Sequence, residues 1–243
     1  MHILVVTAVP AERDAVTAAT AGRPERIAVP GGFALHRTVR SDSPGGPFAL
    51  DALAAGVGPA AAAAGAATAL TAAALSPSTS YDLVVSAGIG GGFAPGAPVG
   101  SLVVAEEIAA ADLGAETPGG FLPVTALGFG TDAHRPPEDL VAAVAAATGA
   151  LPGTVLTGST VTGSTARAAE LLARHPRALA EAMEGFGVAE AAAAHGLPVL
   201  ELRTISNPVG PRDRAAWRIG EALAALTAAF ADLPRALHSR STP

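Results

Sequence analysis

Residues 83–87 read Leu-Val-Val-Ser-Ala and run straight into Gly88-Ile89-Gly90-Gly91-Gly92. A continuous apolar strand, without the alternation of a half-exposed one, belongs in a sheet covered on both faces. The rest of the chain supplies the neighbours and the cover. Strands are expected at 3–7, 27–29, 33–39, 48–54, 102–105 and 199–205, and helices at 10–19, 59–74, 136–148, 166–173, 187–195 and 212–231. Pro10 suits the first turn of a helix, and Ser76-Pro77 ends the Ala-rich helix before it. No linker or charge run divides the chain. The reading is a single α/β domain over residues 1–237, a central mixed, twisted β-sheet flanked by helices, with a polar, mobile tail at 238–243.

Composition removes several chemistries. Cysteine is absent, and all fifteen basic residues are Arg, so thiolate catalysis, a Schiff-base lysine, a P-loop lysine and a Tyr-Lys dehydrogenase pair are excluded. His2, His36, His134, His175, His195 and His238 form no two-His helical pair, so no metal is expected. A net charge of −6 argues against a nucleic-acid binder. The longest low-polarity stretch, 52–75, is broken by Gly56, Gly58, Pro59 and Gly65, and the first residues lack a basic leader. Neither a membrane span nor a targeting signal is expected, and the location is read as cytoplasmic.

The candidate chemistry lies in three places. Glu12 follows the first strand, in Ala8-Val9-Pro10-Ala11-Glu12, where a carboxylate can complement the helix dipole or point into a cleft at the strand's end. Met183-Glu184-Gly185 places a carboxylate just ahead of a helix. Arg203-Thr204-Ile205-Ser206-Asn207 places an amide beyond a strand. Ligands of open α/β sheets sit past the carboxyl ends of the strands. A carboxylate accepts two hydrogen bonds from a sugar diol, and an amide reads the edge of a base, so the pairing suggests a nucleoside pocket. Glu184 as a surface acid and Asn207 as a turn residue before Pro208 is the plain alternative.

Two glycine clusters bear on the ligand. Gly56-Val57-Gly58-Pro59-Ala60-Ala61 fits a loose dinucleotide pattern, but the acid expected at the end of the next strand is missing and Pro59 removes an N–H. Gly88 and Gly90 allow a ligand close to the backbone, with no Arg beside them. The echo 157–160 and 162–165 is either a hydroxyl-rich loop near a ligand or a helix entry capped by Ser164 or Thr165.

The order Glu12, a glycine-rich turn after a central strand, Val99 to Val104, Met183-Glu184 and Arg203-x-Ile205-Ser206-Asn207 resembles the purine nucleoside phosphorylase and nucleosidase superfamily. The methylthioadenosine/adenosylhomocysteine nucleosidase branch is the most similar, and the resemblance covers about residues 2–230. Within that branch, Ser206-Asn207-Pro208-Val209-Gly210-Pro211-Arg212-Asp213 is similar to the futalosine hydrolases, enzymes of the alternative menaquinone route.

The resemblance implies a nucleoside phosphorylase-like fold without a cofactor, acting on a small purine nucleoside. It implies Glu12 as general base for water and Asn207 as the catalytic residue at the leaving base. Glu184 then holds the ribose hydroxyls and Met183 packs on the sugar. Gly88, Gly90, Val161 and Ser206 complete the substrate-binding set. Asn207 stands where adenine-specific nucleosidases have Asp, which favours a 6-oxopurine, since an amide offers a fixed NH₂ donor. Ile89 replaces a Ser near the sugar, and the loop 159–163 has no aromatic to stack on the base. The implied reaction is hydrolysis of a 5′-modified purine nucleoside. Adenine release, phosphorolysis, a non-catalytic binding module and a nicotinamide-dependent oxidoreductase are the alternatives. Related enzymes build pockets at subunit contacts, so the Ala-rich helix and the apolar residues Phe121-Leu122 imply a homo-oligomer, most simply a dimer.

Overall fold

The computed structural model describes residues 1–41, 46–76 and 79–238. The expected tail lies outside the described residues, apart from His238. In chain order the elements are β1 (His2–Thr7), α1 (Pro10–Thr17), β2 (Glu25–Ala28), β3 (Ala34–Arg40), β4 (Phe48–Ala54), α2 (Pro59–Ala74), β5 (Leu83–Gly92), β6 (Leu102–Ala110), β7 (Gly114–Thr117), β8 (Gly120–Pro123), β9 (Ala133–His134), α3 (Glu138–Thr148), β10 (Leu151–Thr157), α4 (Thr165–Arg174), β11 (Ala178–Ala182), α5 (Gly185–Ala194), β12 (Val199–Pro208) and α6 (Ile219–His238).

The main sheet runs β11-β10-β6-β12-β5-β1-β4-β3-β2, with β9 on β6. β1, β4, β5 and β12 are parallel neighbours, whereas β6 runs antiparallel to β12 and β3 antiparallel to β4. The sheet curls, so that β11 also meets the end of β5 at Ala180–Gly92 and Glu181–Gly91. That curl brings the Glu184 end of β11 over the ends of β1, β5 and β12.

The apolar runs behave as their pattern requires. Side chains alternate faces along a strand. Leu4 and Val6 of β1 join one core with α2 and α5, whereas Ile3 and Val5 join the other with Val16, Leu226 and Phe230. The alanines of α2 let it lie close against α5. Polar groups at the opposite end of β1 are also paired. Asp51 is fully buried and accepts from Arg37, Tyr81 and His2. Burial alone would raise its carboxyl, but these partners hold it well below the usual range.

Several expectations are corrected. The glycine run 88–92 is not a turn after β5 but its continuation, paired with β12 and β11. β12 runs on to Pro208, with an irregularity between Ile205 and Asn207. The last helix starts at Ile219, not 212. Residues 212–218 fold back instead: Asp213 caps a 3-10 turn at Arg214–Ala216, and the Arg218 N–H donates to Ser206 O at 2.8 Å. β7, β8, β9, β10 and β11 had no counterpart among the expected strands.

Candidate active site

The carboxyl ends of β1, β5, β11 and β12 enclose a cavity of about 380 Å³, within the usual range for small-molecule sites. Glu12, Gly90, Val161, Met183, Glu184, Ser206 and Asn207 line it. Seven of the eight expected site residues therefore meet in one place. Gly88 lies behind the wall instead. A Cβ there would stand 2.5 Å from Glu12 Oε1 and 2.8 Å from a guanidinium nitrogen of Arg203, so glycine leaves room for those two groups to approach.

Glu12 sits in the first turn of α1. Its Oε2 accepts from the N–H groups of Ala8 and Val9 at 3.0 and 3.3 Å, and Oε1 accepts from the Ile89 N–H at 2.9 Å. These donors fix the carboxylate at the junction of β1 and β5. Burial is the largest influence on it and raises its pKa, against the pull of Arg203 and the Ile89 N–H; the nearby Glu184 raises it further.

Glu184 immediately precedes α5 and is almost fully buried. It accepts from the Gly58 N–H at 3.2 Å and from its neighbour's N–H, and pairs with Arg203 at 3.2 Å. The Gly56–Gly58 cluster thus serves this carboxylate. Gly58 has a φ of 95°, which an L side chain rarely adopts.

Arg203 carried no role in the sequence reading, yet it organises the site. It is fully buried on β12. It donates from Nε to Glu201 at 2.9 Å and from a terminal nitrogen to Ser86 Oγ at 3.0 Å. Burial opposes its charge, but Glu201, Glu184 and Glu12 together outweigh that and raise its pKa. Glu201 lies on the same strand face two residues earlier. Burial pushes its carboxyl up to about 7 despite Arg203, and its Oε2 has no hydrogen-bond partner among the described residues. The carboxyl group fills the space where a Cβ on Gly185 would stand. The signal was present in the sequence as two charges at alternate positions of an otherwise apolar strand.

On the opposite wall, the Ser206 hydroxyl donates to Asn207 Oδ1 at 2.8 Å, and Asn207 Nδ2 donates to Pro208 O at 3.0 Å. The amide is oriented from both ends, and one N–H stays free among the described residues. Glu181, also missed, accepts from the Thr162 N–H at 2.9 Å and from its hydroxyl, tying the loop with Val161 to β11. Ser164 caps α4 through the Arg167 N–H, so the second half of the Thr-Gly-Ser-Thr echo is a helix entry.

The family profile of the phosphorylase superfamily matches residues 2–237. The chain belongs to the phosphorylase superfamily. Within it, the chain groups with the futalosine hydrolases. That of Streptomyces coelicolor is 69% identical over 239 residues, covering 98% of this chain and 97% of the relative. That of Acidothermus cellulolyticus is 45% identical, covering 95% and 89%. Among solved structures, futalosine hydrolase of Helicobacter pylori superposes with a TM-score of 0.76 at 20% identity, covering 99% of both chains. The methylthioadenosine/adenosylhomocysteine nucleosidase of Colwellia psychrerythraea, in complex with adenine, gives 0.76 at 23% identity, covering 99% and 95%. At these identities the structures show the fold: one α/β domain with a mixed sheet between helices. No helix among the described residues is long and apolar enough to cross a membrane.

Proposed function

We propose that the protein hydrolyses the N-glycosidic bond of futalosine, releasing hypoxanthine and a sugar with a free anomeric hydroxyl, as a step of menaquinone biosynthesis. One observation carries the assignment of roles: Glu12, Glu184 and Asn207, far apart in sequence, line one cavity. The identity to futalosine hydrolases supports the substrate.

The bond breaks through an oxocarbenium-like state. Glu184 accepts from the ribose hydroxyls and faces the cationic sugar with negative charge. The electron pair of the C1′–N bond moves onto the purine, and the free N–H of Asn207 hydrogen-bonds the departing base, more strongly as charge develops there. Glu12 takes a proton from the water that attacks C1′. Its raised pKa brings it nearer the pH of the reaction, which favours general-base action. Gly90, Val161, Met183 and Ser206 bound the substrate. Hydrolysis is favoured over phosphorolysis because Arg203 is committed to Glu201, Glu184 and Ser86 behind the cavity wall.

Chromatography of futalosine, inosine and methylthioadenosine, each with and without phosphate, tests the reading. Hypoxanthine is expected from futalosine without phosphate, and methylthioadenosine is expected to react far more slowly. A sugar 1-phosphate as main product would overturn hydrolysis. Equal turnover of the 6-amino substrate would overturn the role of Asn207.

The protein is further proposed to be a cytoplasmic homo-oligomer, most simply a dimer. Leu113, Leu122, Leu127 and Phe129 are exposed on or near the β7–β8 hairpin, and an apolar surface of that kind suits a contact between copies. A monomeric mass by light scattering would refute the assembly.

A further inference from the structure

Asn207 offers one free N–H to the departing base, and a single donor leaves the rest of a purine edge unread. The strand register shows what stands beside it. Asn207 on β12 and Glu181 on β11 are both partnered with Gly91 of β5, from opposite sides. Residues paired directly across neighbouring strands project to the same face of a sheet, and both of these side chains line the cavity. With strands about 4.8 Å apart, the two residues stand roughly 10 Å from each other across Gly91. Gly91 has no side chain to fill that gap: a Cβ there would stand 3.3 Å from Asn207 Nδ2 and 3.0 Å from Val209 Cγ2. An amide donor, an open space and a carboxylate acceptor therefore form one row. The carboxylate has capacity left. It is buried and accepts from the Thr162 N–H at 2.9 Å and from the Thr162 hydroxyl, its only hydrogen bonds among the described residues. A carboxylate has about four acceptor sites, so roughly two stay open. Open acceptor sites on a buried charge are costly until a donor meets them.

Resting on the proposed nucleosidase reading, we propose that Glu181 sets base specificity by accepting the N1–H of a 6-oxopurine, while Asn207 serves the O6/N7 end of the same edge. Along that edge hypoxanthine presents two acceptors, N7 and O6, and then one donor, N1–H. A row of donor and then acceptor across Gly91 is its complement. Adenine carries a lone pair at N1, which would face the carboxylate with no proton between two acceptors. The site then rejects a 6-aminopurine by a repulsive contact as well as by a missing bond. Glu181 is a specificity-determining residue: its partner lies on the base, away from the bond that breaks.

The test compares futalosine with its N1-methyl derivative, which keeps O6 and N7 and lacks the N1–H. The wild-type protein is expected to prefer the parent in kcat/KM. Glu181→Ala is expected to reduce that preference by about 10- to 100-fold, the range for a hydrogen bond to a charged group. Glu181→Gln is expected to keep part of it, since an amide oxygen still accepts. Release of the Thr162 loop in either variant would slow both substrates together, so the ratio reports the contact with N1 and not the loop. Binding gives a second readout that needs no turnover: hypoxanthine and 1-methylhypoxanthine are titrated by calorimetry into the wild-type and Glu181→Ala proteins. Tighter binding of hypoxanthine by the wild type, with the difference lost in Glu181→Ala, supports the inference. An equal N1-methyl penalty in the wild type and Glu181→Ala would mean that Glu181 only holds the loop, and would overturn it. Wild-type turnover of the N1-methyl derivative at the rate of futalosine would overturn it as well. No hypoxanthine from futalosine itself would remove the nucleosidase reading, and this inference with it.

Discussion

Replacing Glu201 with Gln should change how stability depends on pH, because this buried carboxyl binds its proton more tightly in the folded protein than in the unfolded chain. Its pKa rises from an ordinary 4.5 to about 7 on burial. Between those values the native state holds a proton that the unfolded state has released, so stability falls as pH rises. The contribution is complete below pH 4.5 and lost as pH passes 7. At about 1.4 kcal/mol per unit, the shift corresponds to roughly 3 kcal/mol, an upper figure because Arg203 is coupled to the same proton. Gln is neutral at every pH, has nearly the same shape, and still accepts the Arg203 Nε–H. The Glu201→Gln protein should therefore lose less stability between pH 5 and 8 than the wild type. Urea unfolding at unit steps of pH measures the difference. Glu12 is raised too and gives a slope of the same sign, but it is present in both proteins, so most of its slope is common to the two profiles. Parallel profiles for the two proteins would show that Glu201 does not hold a proton in the folded state.

Three further outcomes follow from the geometry. Glu12→Gln should keep most substrate binding and lower kcat by about 10²–10⁴-fold, with the acidic limb of the rate profile lost; near wild-type turnover of futalosine would remove the general-base role. Asn207→Asp should move the ratio of kcat/KM toward 6-amino nucleosides, read by competing inosine-type and adenosine-type substrates in one vessel. Gly187→Ala should destabilise by about 1–3 kcal/mol, seen as a lower melting temperature, because the new methyl overlaps the Pro59 carbonyl and forces α2 and α5 apart.

The elements legible in the sequence were those whose composition and environment agree. β1 and the start of β5 are apolar on both faces because both faces are covered, and α2 begins at Pro59 and ends at Ala74, as its Ala-rich composition and N-terminal proline suggest. β11 reads Ala-Leu-Ala-Glu-Ala, which has little intrinsic strand preference; its strand state comes from pairing with β10 and β5. β10 opens on Leu-Pro-Gly, residues that normally interrupt a strand. The start of α6 was misplaced because Ala215 and Ala216 look helical, whereas the Asp213 cap and the Arg218–Ser206 bond pull the chain back toward β12. The convergence of Glu12, Glu184 and Asn207 was suggested by their places at strand and helix ends and implied by the family resemblance. The contributions of Arg203, Glu201 and Glu181 were not, since a buried charge shows its partners only when the strands are assembled.

Those buried charges bear directly on the chemistry. Glu12, Glu184 and Glu201 surround one guanidinium, and ionisation of all three would leave an excess of two negative charges in a buried cluster. A proton on Glu201 halves that excess. Arg203 can then stay hydrogen-bonded to a neutral Glu201 while its charge offsets one of the two cavity carboxylates. In the proposed reaction the remaining negative charge faces the sugar, where the transition state develops positive charge. A site with one uncompensated anion stabilises that state more than the neutral nucleoside, which is the differential interaction that catalysis requires. Glu201 does not line the cavity, so in the proposed reaction it acts through Arg203, whose charge offsets the cavity carboxylates.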